Sequence, residues 1–214
     1  MVNQPENKSV NQNKDEKRTF IELARRAQII EATIDVLAEQ GYMNASFVRI
    51  AKRAGISAGL ISYHFKDKEE LMDEVYMTIM GGRLKHLQEK IADGKTATDK
   101  LRIALEADMA YMGNQPRLFK ALIEGLFSAR DSEGHLKYMK DIDEPDINSI
   151  ATILETGQKN GEFGVFDTYN MALILDGARD QFLAQLPIRP SFNLEKFTKT
   201  LVDFALKAVQ KEEL

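Results

Sequence analysis

Residues Ser46 to Lys68, SFVRIAKRAGISAGLISYHFKDK, constrain the fold of this chain more than any other stretch. Phe47, Ile50 and Ala51 recur at i, i+3 and i+4, which predicts one buried stripe on a short helix, with Arg49, Lys52 and Arg53 on the wet side. Ser46 stands where an N-cap is needed. Gly55 follows the last periodic residue, where a left-handed turn costs glycine nothing. Ser57 can then cap a second helix that runs to Phe65 and turns Leu60, Ile61 and Phe65 toward a core. Two helices joined so tightly must cross steeply, which is the helix-turn-helix arrangement. The second helix opens with Ser57, Ala58 and Gly59, side chains small enough for close approach to a groove, and Lys66-Asp67-Lys68 follows at once.

Charge supports a polyanion partner for this end of the molecule. The net charge is -4, but residues 17–68 hold nine basic against five acidic side chains, a balance of +4, while residues 69–214 carry -7. A basic module on an acidic body fits nucleic acid, although an ordinary solvated surface reads the same from charge alone. At 214 residues and 43% hydrophobic content the chain can bury one small and one larger domain. It has no cysteine, which excludes disulfides, thiolate metal sites and thiol switches and fits a reducing cytoplasm. No apolar run reaches the ~18–20 residues of a membrane span. The polar start lacks the apolar core of a signal peptide. The expectation is a soluble, cytoplasmic protein without a membrane partner.

Helical spacing recurs throughout, and no strand alternation or internal repeat appears. Residues 1–18 are polar and unpatterned and predict a disordered arm. Residues 19–66 predict a three-helix domain whose first helix carries Ala27, Ile30, Ile34 and Leu37 on one face and stops at Gly41. Its Arg25 and Arg26 are either phosphate contacts or plain surface arginines. Residues 67–214 predict a helical bundle. Asp67 and Glu70 resemble a capping box, and Leu71, Val75 and Ile79 continue a row that predicts a long helix to about Ile91. Gly81-Gly82 weakens that helix by roughly 1 kcal/mol per glycine, consistent with a bend or with a closely packed neighbour. Further helices are predicted over Thr98–Gly113, Pro116–Arg130, Glu133–Lys140, Pro145–Lys159, Thr168–Leu186 and Asn193–Lys211, with Pro145 separating two of them. The Pro116–Arg130 helix is apolar over more than half its circumference and should be central.

Catalytic chemistry has nothing to stand on. His64, His86 and His135 lack metal-ligand spacing, so no metal is expected. Ser62 and His64 diverge on a helix, and no third residue orients the histidine. Phosphate-binding glycine loops are absent, so no cofactor is expected and the chain does not read as an enzyme.

The segment GISAGLISYHFKDKEEL closely resembles the recognition region of the TetR family of bacterial repressors, and Gly41-Tyr42, Ser46 and Ile50-Ala51 match its upstream part. The resemblance is specific from about Arg25 to Tyr76. It implies an all-α protein: an N-terminal three-helix helix-turn-helix DNA-binding domain plus a C-terminal helical-bundle ligand-binding and dimerisation domain. It implies double-stranded operator DNA as a partner, with Ser46, Arg49, Tyr63, His64 and Lys68 at backbone or groove-edge positions and Ser57, Ala58, Gly59 and Leu60 facing bases. Ser62, where the family often has tyrosine, is a departure. It also implies a homodimer through the last two helices, for which Phe182, Leu186, Phe197, Leu201 and Phe204 are candidates, placing the recognition helices roughly 34 Å apart. An unknown small-molecule effector would release the repressor from DNA. Its candidate lining is Met80, Leu84, Met112, Phe119, Phe127, Ile153, Leu175 and Arg179, a Met-and-aromatic set of a kind that is more often ordinary core. Arg179, if buried, needs a partner: an anionic ligand, Asp176 or Asp180.

Overall fold

The structure, a computed structural model, describes the backbone of residues 7–185, 189 and 192–211, and the side chains of these apart from residues 7–18, 139–146 and 183. Regular structure among the described residues is helical: α1 (Asn7–Gln40), α2 (Phe47–Ala54), α3 (Ala58–His64), α4 (Lys68–Ile91), α5 (Ala97–Gly113), α6 (Pro116–Ser128), α7 (Met139–Lys159), α8 (Thr168–Gln185) and α9 (Leu194–Ala208). A single antiparallel bridge, Arg130 to Leu136, closes the turn before α7. No helix among the described residues is long and apolar enough to cross a membrane. The chain falls into two compact units, Met1–Tyr76 and Met77–Leu214.

In the first unit, local sequence signals act where they were expected. Ser46 caps α2 by accepting from the Arg49 N–H, Gly55 ends it at φ 67°, ψ 33°, and Ser57 caps α3 by accepting from the Leu60 N–H. Ile29, Ile34 and Leu37 of α1, Ile50 of α2, Ile61 of α3, Phe65 and Leu71 of α4 are all nearly or wholly buried and form the core. The unit extends past residue 66 because Leu71, Met72 and Val75, the first turns of α4, belong to that core. Asp67 accepts from the Glu70 N–H at 2.9 Å, and Glu70 accepts from the Lys66 N–H at 2.8 Å, a capping pair shifted by one residue from the expected box.

Two expectations about element boundaries are corrected. Residues 7–18, expected to belong to a disordered arm, are the start of α1. After Pro5 this stretch contains neither glycine nor proline and carries three lysines and an arginine, good helix formers, so a helix nucleated on the core below it propagates outward. The second correction concerns Pro145, which does not separate two helices but lies within α7. The proline deletes one N–H donor, and packing along the rest of α7, where Ile147 and Leu154 are buried, holds the helix through it.

In the second unit, α5 and α8 are the inner helices, with Leu101, Leu105 and Met109 of α5 and Ala172, Leu175 and Phe182 of α8 buried. A Cβ at Gly82 would stand 3.0 Å from the Tyr111 hydroxyl, so of the two readings of the glycine pair, close packing applies at Gly82, while Gly81 faces open space. Gly157 is required by packing: a Cβ there would meet the Phe163 ring at 2.0 Å. Glu162 caps α5 from outside, its carboxylate accepting from the Ala97 and Thr98 N–H groups, each at 3.0 Å.

Candidate nucleic-acid interface and bundle cavity

The helix-turn-helix presents a small, open face. Ser57 and Gly59 are exposed, Ala58 and Leu60 are half-buried, and Tyr63 stands 71% exposed with its ring edge-on to His64. A Cβ at Gly59 would find only the Ser57 Oγ, 4.0 Å away. Ser46 is occupied as a cap but exposed, and Arg49 reaches Gln40 on the surface at 3.1 Å. All nine sequence-derived contact residues thus lie in one unit around α2 and α3.

The arginines and lysines divide into two kinds. Arg26 of α1 is a brace. It donates to the His64 carbonyl at the end of α3, stands 4.2 Å over the Phe65 ring, and pairs with Glu74 at 3.0 Å and Glu70 at 3.6 Å on α4. Arg53 likewise ties α2 to Asp35 and Glu39 of α1. Lys68 donates to the Tyr42 carbonyl at 2.7 Å and lies 4.2 Å over the Tyr42 ring; its burial there lowers its pKa. Lys68 therefore has a packing role that spacing did not reveal. Arg25, Lys52 and Lys66 point to solvent or a near neighbour on the same surface.

The second unit contains a cavity of about 150 Å³ between α4, α5, α7 and α8, walled by Leu84, Leu87, Ile91, Leu105, Ile150 and Leu175. One end is ionic. Arg83 grips Asp108 through two 2.6 Å hydrogen bonds, Nε to Oδ1 and Nη2 to Oδ2. Arg179 donates to the same Asp108 Oδ2 at 2.9 Å, forms an ion pair with Asp176 at 2.7 Å, and binds the half-exposed Asp180 through Nε and Nη2. Arg83, Asp108, Asp176 and Arg179 are all at most 6% exposed. Burial by itself raises the Asp108 pKa, but the two guanidiniums together outweigh it and hold the carboxyl below its ordinary range.

Of the eight expected effector residues, Leu84, Leu175 and Arg179 line this cavity. Met112, Phe119 and Ile153 are buried but do not line it, and Met80 is half-buried outside it. Phe127 is 55% exposed and does not line this cavity, because α6 turns one side of its broad apolar surface outward. Arg179 has carboxylate partners from the chain itself. Sequence reasoning missed Arg83 and Asp108. The only available signal was that Arg83 continues the four-residue row of Leu71, Val75 and Ile79 with a cation.

The interface candidates also divide. Phe182 is 2% exposed and stacks on Phe197 with centroids 3.9 Å apart, and Leu201 is 4% exposed, so these residues close the bundle of their own chain. Phe204 is 53% exposed, and Tyr169, Leu173 and Ile174 on α8 are exposed as well. Leu186 lies outside the described residues. Among the described residues, no group of three or more His, Asp or Glu is placed to hold a metal ion.

The family model for bacterial regulatory proteins of the tetR family matches residues 29–75, the α1–α4 core of the first unit. Over a longer span, the chain is 30% identical across 136 residues to the fatty acid metabolism regulator protein of Bacillus subtilis, covering 63% of this chain and 69% of that one. The chain belongs to the tetR family. A tetR-family regulator binds DNA and is not an enzyme. The regulator BetI of Klebsiella pneumoniae shares 49% identity over 49 residues, 23% of this chain and 25% of its own. The fold of the whole extends further than the sequence likeness. FadR of Bacillus subtilis, solved in complex with stearoyl-CoA, superposes with a TM-score of 0.74 at 22% identity, covering 86% of this chain and 99% of that one.

Proposed function

We propose that this tetR-family protein is a dimeric repressor that docks α3 in the major groove of operator DNA and leaves it when an effector with an acyl chain enters the bundle cavity. The observation that carries the DNA reading is Gly59. Glycine is a poorer helix former than alanine, and the Cβ position here is open, with only the Ser57 Oγ 4.0 Å away, so the missing side chain leaves room for close approach by a partner at this surface. Ser57 can donate to or accept from a base edge and Leu60 can touch a thymine methyl, but the first turn offers no bidentate arginine or glutamine. Specificity then leans on DNA shape. The exposed Phe204, Tyr169, Leu173 and Ile174 support dimerisation through α8 and α9.

The apolar cavity walls and the stearoyl-CoA complex of the Bacillus subtilis relative support the acyl-chain effector. At about 150 Å³ the cavity is smaller than the ~300–1,000 Å³ of ordinary ligand pockets. An effector must therefore widen it, and a ligand that prefers the widened bundle by about 2.7 kcal/mol weakens DNA binding roughly a hundredfold. The same small volume favours a second reading, an effector-independent DNA-binding regulator with a filled bundle. The test is a mobility shift on the protein's own upstream region with stearoyl-CoA titrated in. A retarded complex that the ligand dissolves supports the reading, a complex indifferent to bound ligand leaves the effector-independent regulator, and the lack of a complex sinks both.

A further inference from the structure

The ionic end of the cavity is built differently from an ordinary salt bridge. Two guanidiniums from different helices, Arg83 of α4 and Arg179 of α8, converge on one carboxylate, Asp108 of α5. All three side chains are nearly or fully buried, and all three line the cavity. A buried charge must keep a partner, and both guanidiniums reach the cavity, so an anion that enters it competes with Asp108 for them. The rest of the lining is largely aliphatic, with Leu84, Leu105 and Leu175, alongside Gln88 and Ser149. A cavity so lined suits a molecule with an apolar body and an anionic end.

We infer that Asp108 is an exchangeable latch: a carboxylate-bearing amphiphile seats its chain in the cavity, replaces Asp108 on Arg83, and thereby unties α4 from α5. The inference rests on the effector reading given above and adds the head-group chemistry and the switch residue. Exchange preserves the count of buried pairs, because the arginine passes from one carboxylate to another while Asp108 keeps the second arginine. Its structural consequence falls on α4, whose Arg83 belongs to the latch and whose Leu71 and Val75 belong to the core of the DNA-binding unit. Asp176 and Asp180 stay with Arg179, so the released element is α4.

The experiment compares decanoate with decan-1-ol, equal in chain and different in head-group charge, by calorimetry and by operator mobility shift on the full chain. The wild type should bind decanoate at least tenfold more tightly than the alcohol. Asp108→Asn, which removes the internal competitor and leaves an excess of cation, should widen that preference at least another tenfold. Because this variant is at risk of unfolding, Arg83→Met with Asp108→Leu supplies a second arm. It replaces a charge pair by apolar volume, leaves Arg179 with its other partners, and should lose the preference for decanoate together with the response of operator affinity to it. Equal binding of acid and alcohol, or a preference that survives in the double variant, overturns the latch and leaves the effector reading standing. Failure of decanoate, decan-1-ol and stearoyl-CoA alike to bind or to weaken operator binding removes the effector reading, and the latch with it.

Discussion

Arginine is used in both units to hold helices together, and the two uses differ in how much water reaches them. In the DNA-binding unit Arg26 joins α1, α3 and α4, with 27% of its side chain exposed and its carboxylate partners Glu70 and Glu74 exposed by 41% and 46%. In the bundle the side chains of Arg83 and Arg179 are 4% and 7% exposed, and that of Asp108 7%. Water screens the first system, so each pair there contributes little, and removing one partner leaves a charge that solvent can reach. The second system was desolvated at high cost and is stable only as a complete set. The DNA-binding unit is thus held by its apolar core and trimmed by ions, while the bundle contains a set of charges that cannot be partly undone.

The largest expected effect breaks this contrast if it fails to appear. Asp108→Ala should destabilise the protein by about 3–5 kcal/mol in urea unfolding, because two buried guanidiniums lose a shared partner. Replacing Arg83 by Met and Asp108 by Leu together should cost less than the single change, since neither half of the Arg83–Asp108 pair is left behind. If the single and double variants were equally destabilised, the loss would be one of packing rather than of charge.

Next in size is the outer face of the bundle. Phe204→Glu should weaken self-association by about 2 kcal/mol or more, roughly thirtyfold in the dissociation constant read by sedimentation. Phe182→Glu should instead unfold the chain, because that ring is 2% exposed and stacked inside its own bundle. A monomeric wild type at micromolar concentration with tight operator binding would remove the interface altogether.

These two regions were also unequally legible in the sequence. Ser46, Gly55 and Ser57 mark the ends of α2 and α3 because capping and left-handed termination are decided within four residues, and a linear reading sees four residues well. The ionic cluster was illegible for the opposite reason. Arg83 meets Asp108 across 25 positions and Arg179 meets it across 71, and the periodicity of either helix does not announce the pairing. Phe127 shows the same limit from the apolar side: a helix greasy over most of its circumference looks central, and only tertiary packing decides which part stays wet. Lys68 combined both problems, its resemblance to a phosphate contact being visible and its bond to the Tyr42 carbonyl not.

Smaller effects separate brace from contact in the DNA-binding unit. Arg26→Ala should cost about 1–2 kcal/mol through its charged hydrogen bond and ring contact, and weaken operator binding with the salt slope unchanged. Lys66, 86% exposed at the side chain, should behave in reverse: Lys66→Ala leaves stability within about 0.5 kcal/mol but lowers the magnitude of the salt slope by about one. Equal slopes for wild type and Lys66→Ala would take Lys66 out of the phosphate contacts, and a reduced slope for Arg26→Ala would make that arginine a contact as well as a brace.

The smallest effect concerns pH and sharpens the comparison by adding a wet carboxylate to the buried one. Hydrogen bonds from the Thr98 and Ala97 N–H groups at the start of α5 lower the Glu162 pKa below its ordinary 4.5, and the guanidiniums lower that of Asp108 below 3.8 against the opposing effect of burial. A carboxyl whose folded pKa lies below its unfolded value stabilises the fold above the unfolded value, and that contribution disappears as pH falls through the folded one. Both contributions are therefore complete from pH 5 upward, and neither carboxyl makes the protein a pH sensor in the neutral range. Glu162→Gln keeps one oxygen for the α5 cap but no charge. The variant should be less stable than wild type by a margin that is constant above pH 5 and closes as the acid limb is descended below 4.5. If thermal unfolding showed the margin unchanged at pH 2.5, the carboxylate would matter for its shape in the cap and not for its charge.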